Sequence, residues 1–375
     1  MSQIPAGCEP RCPACPHRKF TLSESEKQKN DWLHHNLAPW SNVLEPIRSP
    51  SNTMELASRW GYRDKALLHS RWNTKQSEWE FGVLDRDENL IPIPDCPIHS
   101  ESVRQIHKTL ARLLPAPEVL PLHFASVVGR QVSWVIKAPS LANTDWIQAV
   151  WDALRPWADG LWLNCNPAAG DRVFSSRHWQ HMAGQSSSPI DFLGTRFEHG
   201  PSSFVQLIPE LYEHALLQAS EFLVPGPKSA VLDLYSGIGV SMALWKQAGS
   251  AAIGAELHGE SQIYAEKNTG LNCLRGRVEE RIPQLEDWTA THRERSHSLL
   301  VFANPSRDGL GIRVSEWITG KARPQKIAYL SCNPRSLAQD LETFSHNGYA
   351  VKRLLPYDFF PQTRQVETLA LIELS

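Results

Sequence analysis

The second half of the sequence predicts an α/β fold, a mostly parallel sheet wrapped by helices, and the first half predicts a β-rich domain. Three observations carry this reading. From about residue 207 onward strand-like runs alternate with helical ones, as in "AVLDLY", "VSMALWKQAG", "AAIGAEL", "SLLVFANP" and "KIAYLSCNP", the rhythm of βαβ units. Between about 60 and 175 the apolar stretches are short, alternating and cut by turn residues, as in "WEFGVLDRDENLIPI" and "HFASVVGRQVSWVIKA", which reads as strands and hairpins. The segment "AGQSSSPID" (183–191) is polar and holds Pro189, so it reads as a boundary or long loop. The domains predicted are therefore 1–190 and 191–375.

Within the first domain helices interrupt the strands near 101–114 and 144–157. In the second, "LIPELYEHALLQASEFL" (207–223) has helical periodicity and opens the alternation. Parallel sheets of this kind bind ligands at the carboxyl ends of their strands.

With 375 residues, 41% hydrophobic and 21% charged, the chain is long enough for two separate cores. Lys plus Arg is 38 against Asp plus Glu 40, a net charge of −2, so there is no bulk attraction to nucleic acid and any basic surface must be local. No apolar run approaches the roughly 20 residues that span a bilayer, and the N-terminus lacks the apolar stretch of a signal peptide. A cytoplasmic protein is the expectation.

Seven cysteines stand at 8, 12, 15, 96, 165, 273 and 332. An odd number clustered at one end does not make a disulfide framework. In a reducing compartment "CEPRCPACP" (8–16) reads as metal or iron-sulfur ligation. The C-x3-C-x2-C spacing alone suggests a radical S-adenosylmethionine enzyme, but that reading expects three ligands and a βα barrel. Here the next region is β-rich, and Cys96 in "PDCPIH" offers a fourth thiol. Cys8, Cys12, Cys15 and Cys96 are thus candidate ligands of a [4Fe-4S] cluster, with a four-thiolate zinc site as the alternative.

"VLDLYSGIGVSMALW" puts a strand, a tight turn with Gly237 and Gly239, and a helix in succession. The turn lets the backbone approach a ligand. The next strand ends in Glu256, an acid placed to accept hydrogen bonds from ribose hydroxyls. Turn plus acid fits NAD or S-adenosylmethionine. Farther on, Asn304, Cys332 and Glu367 each stand at a strand end. If the last strand runs antiparallel, all three reach one rim.

"SCNPRSLAQDL" followed by "DFFPQTRQVETLALI" resembles the uracil-C5 RNA methyltransferase family, together with "FVQLIP", "LDLYSGIG", "AEKNTGLNCL" and "NPSRDG". The resemblance covers about 200–375, and reaches the first half more weakly through "WGYRDKALL" and the four cysteines. It implies a Rossmann-like S-adenosylmethionine methyltransferase domain preceded by a β-rich RNA-binding domain carrying a four-Cys iron-sulfur site, in a monomer. Cys332 matches the family's nucleophile and Glu367 its base. Gln206, Tyr235, Glu256 and Asn304 match cofactor contacts, and Asp358 matches an acid near the base ring. Ser306, Gln365 and Ser236 depart from the family's usual residues. The chain begins at the cysteines without the small RNA-binding barrel of longer members, which points to the short 23S rRNA branch; tRNA, or a catalytically silent RNA-binding paralogue, are the alternatives.

The chemistry needs these residue types. Uracil C5 is a weak carbon nucleophile, so a thiolate must first add at C6. A base must later remove the C5 proton, and a carboxylate of ordinary pKa, about 4.3, is ionised at neutral pH. The target is expected to be an unpaired or extruded uridine. Arg63, Lys65 and Arg71 beside Tyr62 and Trp72 read either as a backbone-and-stacking surface for that RNA or as an ordinary edge strand.

Overall fold

The structure, a computed structural model, describes residues 4–50, 59–293 and 298–375. It divides into two compact units. The first comprises Met1–Lys19, Glu55–Pro189 and His199–Ser202, and the second Phe20–Met54, Ile190–Glu198 and Ser203–Ser375. Residues 20–50 therefore belong with the second unit, not with the N-terminal domain of the sequence reading. The reason is helix α1 (Leu22–Asn36), which buries Ser25, Lys29 and Leu33 along one face, Leu33 joining the second unit's core.

The first unit is a seven-stranded sheet in the order β3-β2-β1-β4-β5-β6-β7. The strands are β1 (Lys65–Asn73), β2 (Glu78–Leu84), β3 (Leu90–Pro92), β4 (Leu122–Val128), β5 (Gln131–Ile136), β6 (Gly160–Cys165) and β7 (Trp179–Gly184), with helices α2 (Glu101–Leu113) and α3 (Ile147–Leu154). All neighbours are antiparallel except β5 and β6, which the α3 crossover makes parallel. Val103, Ile106 and Leu110 of α2 and Ile147, Val150 and Leu154 of α3 fill the core with Trp79, Phe81 and Trp134. β1 is not an edge strand, because β2 and β4 flank it. Arg71 on β1 pairs with Glu80 at 2.6 Å, and Arg63, just before the strand, donates from Nε to the Lys65 carbonyl.

A short ribbon of β8 (Ser188–Phe192) and β9 (Thr195–His199) follows in sequence. The second unit then runs α4 (Pro209–Leu223), β10 (Ser229–Leu234), α5 (Val240–Gln247), β11 (Ala251–Glu256), α6 (Gly259–Thr269), β12 (Cys273–Arg275), α7 (Val278–Arg293), β13 (Ser298–Ala303), α8 (Ile312–Trp317), β14 (Lys326–Ser331), α9 (Pro334–His346), β15 (Tyr349–Tyr357) and β16 (Glu367–Leu374). The sheet order is β12-β11-β10-β13-β14-β16-β15. β10 to β14 are parallel, and β16 enters antiparallel between β14 and β15. β10, buried at every position, reads as the continuous apolar run of a sheet covered on both faces. No helix among the described residues is long and apolar enough to cross a membrane.

Candidate active site on the carboxyl rim

At the end of β10 the chain turns sharply. Tyr235 and Gly237 take left-handed φ of 63° and 56°, and the Tyr235 and Ser236 amides donate to the Ala255 carbonyl at the end of β11. A Cβ at Gly237 would meet only open space, whereas one at Gly239 would strike Thr269 and Ala265 of α6. Gly239 thus lets α5 and α6 pack closely, and Gly237 keeps the turn open toward the rim. Glu256 ends β11, and its two carboxylate oxygens accept from the Gly237 amide at 2.9 Å and the His258 amide at 2.7 Å. Each oxygen keeps lone-pair capacity for a further donor.

Asn304 follows β13, and its amide donates to the Leu234 carbonyl, which sets it beside Tyr235. Gln206 lies in the segment before α4. Ser203, three residues earlier, donates to Glu260 near the start of α6 at 2.8 Å. Gln206, Tyr235, Glu256 and Asn304 all belong to the second unit.

Cys332 directly follows β14. Ser331 stands opposite Thr368 in the β14–β16 register, and Tyr357 opposite Glu367 in the β15–β16 register. The thiol and the carboxylate, 35 positions apart in sequence, are therefore neighbours. Glu367 is 5% exposed. Burial pushes its carboxyl up to about 8, against the opposing pull of the Arg307 guanidinium. Burial also pushes the Cys332 thiol up to about 12, with Glu367 adding to the rise and Arg307 opposing it. The expectation of a carboxylate ionised at neutral pH is thereby corrected: the antiparallel strand that brings Glu367 to the rim also removes it from water.

Arg307, within the "NPSRDG" segment but not singled out by sequence reasoning, is the cation that favours both ionised forms. Its carbonyl accepts from Asn333 Nδ2 at 3.1 Å and Ser336 Oγ at 2.9 Å, tying its loop to the start of α9. Asp340 on α9 holds the same loop, accepting from the Leu310 amide, Ser315 Oγ and Tyr329 OH. A lone Asp in a helical run gives no sequence signal of such a role. Of the departing residues, Ser236 Oγ lies 3.3 Å from Cys273 Sγ. The Ser306 carbonyl accepts from Gly309, and the Gln365 amide donates to Thr363 Oγ1. Asp358 does not face an open base site. Its side chain is 2% exposed and ion-paired with the equally buried Lys29.

In the first unit Cys8, Cys12, Cys15 and Cys96 line one cavity, with Arg18, Trp60 and Ile98. All four are free thiols. Gly7 makes the convergence possible: its φ is +85°, and a Cβ there would lie 2.4 Å from the Asp95 carbonyl. Arg18 shapes the loop from inside, donating to the carbonyls of Pro10, Cys12 and Cys15. Burial raises the thiols of Cys8 and Cys96, and that of Cys15 to about 12. Among the described residues no three His, Cys, Asp or Glu side chains gather as they would around a single metal ion.

The sheet order, the open glycine turn and the acid ending β11 define a Rossmann-like S-adenosylmethionine-dependent methyltransferase fold. Comparison with known proteins narrows the class. The family described as "tRNA (Uracil-5-)-methyltransferase" matches residues 284–374. The chain is 27% identical to the 23S rRNA (uracil(1939)-C(5))-methyltransferase RlmD of Shewanella sp. (strain W3-18-1), across 100% of this chain and 84% of the relative. It is 26% identical to RlmD of Vibrio cholerae across 90% and 76%. The solved Pyrococcus abyssi tRNA (uracil-54, C5)-methyltransferase with S-adenosyl-L-homocysteine shares the fold, with a TM-score of 0.72, 19% identity, and coverage of 97% of this chain and 86% of that one. The chain is thus similar to uracil-C5 RNA methyltransferases, over its C-terminal part by the family model and over its whole length by the 23S rRNA relatives.

The raised pKa of Glu367 makes a stability prediction. A buried carboxyl that stays protonated to about 8, while its unfolded counterpart ionises near the ordinary value of about 4.3, contributes stability that is complete at low pH. That contribution is lost as pH rises through the folded value. Glu367→Gln, uncharged at every pH, is predicted to melt close to the native chain at pH 4 and above it at pH 8. Melting curves across that range check it: a gap that fails to widen with pH contradicts a raised carboxyl pKa.

Proposed function

We propose that this chain transfers a methyl group from S-adenosylmethionine to C5 of a uridine in 23S rRNA, using Cys332 as nucleophile and Glu367 as base. The observation that supports this most is the opposition of Cys332 and Glu367 across β14 and β16. Its setting is a chain that aligns over its whole length with 84% of a 23S rRNA uracil-C5 methyltransferase. A binding-only paralogue would have no use for this pair.

Gln206, Tyr235, Glu256 and Asn304 would hold the methyl donor, Glu256 accepting from ribose hydroxyls and the Gly237 turn leaving room for the ligand. S-adenosylmethionine supplies an electrophilic methyl group there. The Cys332 thiol gives up its proton to solvent and the thiolate adds to C6 of the uracil, the C5–C6 double bond becomes an enolate, and C5 gains its nucleophilic character. After methylation the Glu367 carboxylate takes the C5 proton. The electron pair of that C–H bond re-forms C5=C6, and the thiolate leaves. Both groups rest neutral at pH 7, so the rate is governed by how far Arg307 and the incoming ligands favour their ionised forms. The uridine must be unpaired or extruded, because both C5 and C6 have to be reached. On tRNA, the substrate in the names of the family and of the Pyrococcus abyssi protein, the same residues would act alike.

The four thiols of the first unit fit an iron-sulfur cluster. They line a common cavity, carry no disulfide, and sit under the favourable charge of Arg18 and Arg63. Cys8, Cys12, Cys15 and Cys96 would hold the cluster as four thiolates. The cluster would tie the arm carrying Cys8, Cys12 and Cys15 to the β-rich unit at Cys96, between β3 and α2, with no part in the methyl transfer.

Deleting the gene and mapping 5-methyluridine in total RNA is predicted to erase one 23S rRNA site; loss at a tRNA position would move the substrate, and no loss would sink the reading. The native gene should restore the site, Cys332→Ala should not, and purified Glu367→Gln should accumulate a covalent protein–RNA adduct. Restored methylation by either variant contradicts the mechanism. A second prediction concerns the cluster: anaerobically purified protein should be brown and carry about four iron atoms per chain. Cys8→Ser should lose the colour and melting temperature while keeping its affinity for S-adenosylhomocysteine. Stoichiometric zinc without iron would contradict the cluster.

A further inference from the structure

Asp358 and Lys29 form a buried ion pair that the chemistry above leaves unused. Their side chains are 2% and 1% exposed, and a lysine is almost never so buried unless it is paired. Helix α1, which carries Lys29, is otherwise polar and turns Ser25, Lys29 and Leu33 inward. Lys29 Nζ also donates to the Phe360 carbonyl at 3.2 Å.

The connections run from there to the proposed base. The Phe360 carbonyl accepts from the Thr363 amide and from Thr363 Oγ1. Thr363 Oγ1 in turn accepts from the Gln365 amide at 3.1 Å, and Glu367 is two residues farther on. At the other end of the loop, Asp358 directly follows Tyr357, the residue opposite Glu367 on β15, and its amide donates to the Arg48 carbonyl at 2.8 Å. Residues 29 and 48 thus hold both the side chain and the backbone at the loop's start.

We propose that Lys29 is a positioning residue for methyl transfer: its buried ammonium fixes the 358–366 loop through Asp358 and the Phe360 carbonyl, and so sets the place of Glu367. The proposal rests on Glu367 acting as the base. Replacing a buried ion pair by an apolar pair of similar volume is often neutral or stabilising. What the ammonium adds is direction, several donors aimed from one point at a carboxylate and a carbonyl. The carboxylate of Asp358, satisfied by Lys29, is an anchor for the loop and not a contact to the base ring.

The test separates position from stability. Lys29→Met alone strands a buried carboxyl and should lower the melting temperature. Lys29→Met combined with Asp358→Leu should regain the native melting temperature, yet lose about 10- to 100-fold in kcat, the scale of a misplaced reacting group. Its KM for RNA and affinity for S-adenosylhomocysteine should stay within about twofold. Thr363→Val, which cuts the loop's hydrogen bonds without touching a charge, should lower kcat in the same way and keeps the proposal testable if the double variant fails to fold. Native kcat in a folded double variant, or in Thr363→Val, overturns the proposal and leaves a purely structural pair. Glu367→Gln in the same assay distinguishes the two readings: turnover kept there removes the base assignment and the positioning role with it, whereas turnover lost there and kept in the double variant removes the Lys29 role alone.

Discussion

The insertion of β16 antiparallel between β14 and β15 governs the chemistry of this chain. A parallel strand in that place would have carried Glu367 to the opposite end of the sheet from Cys332. Running antiparallel, it brings its first residue to the rim on which the parallel strands end. The same insertion makes β16 an interior strand, so Glu367 is buried as it is delivered. Proximity and desolvation are two consequences of one strand placement.

Desolvation then shapes the site's resting state. A thiol and a carboxyl that cannot both ionise side by side in a dry pocket stay neutral, with Arg307 in the loop after β13 favouring charge on both and a backbone hydrogen bond also favouring it on Cys332. This is the tuning by which folds hold a carboxyl ready for proton transfer near neutral pH. The framework around it is correspondingly rigid: Asp340 and Asn333 tie down the Arg307 loop from α9, and the segment around Lys29 and Arg48 ties down the loop before Glu367.

Much of this was legible in the sequence. The alternation of apolar strands and helices after residue 207, the glycine turn, the acid ending β11 and the placement of Cys332 and Glu367 at strand ends follow from periodicity and from motif. What stayed hidden depends on contacts distant in sequence. Helix α1 has no apolar stripe, so its place in the second unit could not be read. Its key inward residue is a lysine, which in a sequence looks like a solvent-facing charge. Gly7 precedes the cysteine stretch without any motif of its own, and its approach to Asp95 explains it. The state of Glu367 was misjudged because a carboxylate's ordinary pKa was assumed, and burial by β14 and β15 is invisible one residue at a time. The RNA surface suggested around Arg63 and Arg71 was weakened by a cross-strand partner, Glu80, eight positions beyond the segment considered.

The central claim is that burial holds Glu367 protonated in the ligand-free protein at neutral pH. Infrared difference titration of the carboxyl band, assigned by its loss in Glu367→Gln, measures this directly. The account predicts a protonated carboxyl stretch that persists through pH 7 and disappears with a midpoint near 8. A band already absent at pH 6 would contradict it, and with it the view that the antiparallel insertion of β16 sets both the place and the charge of Glu367.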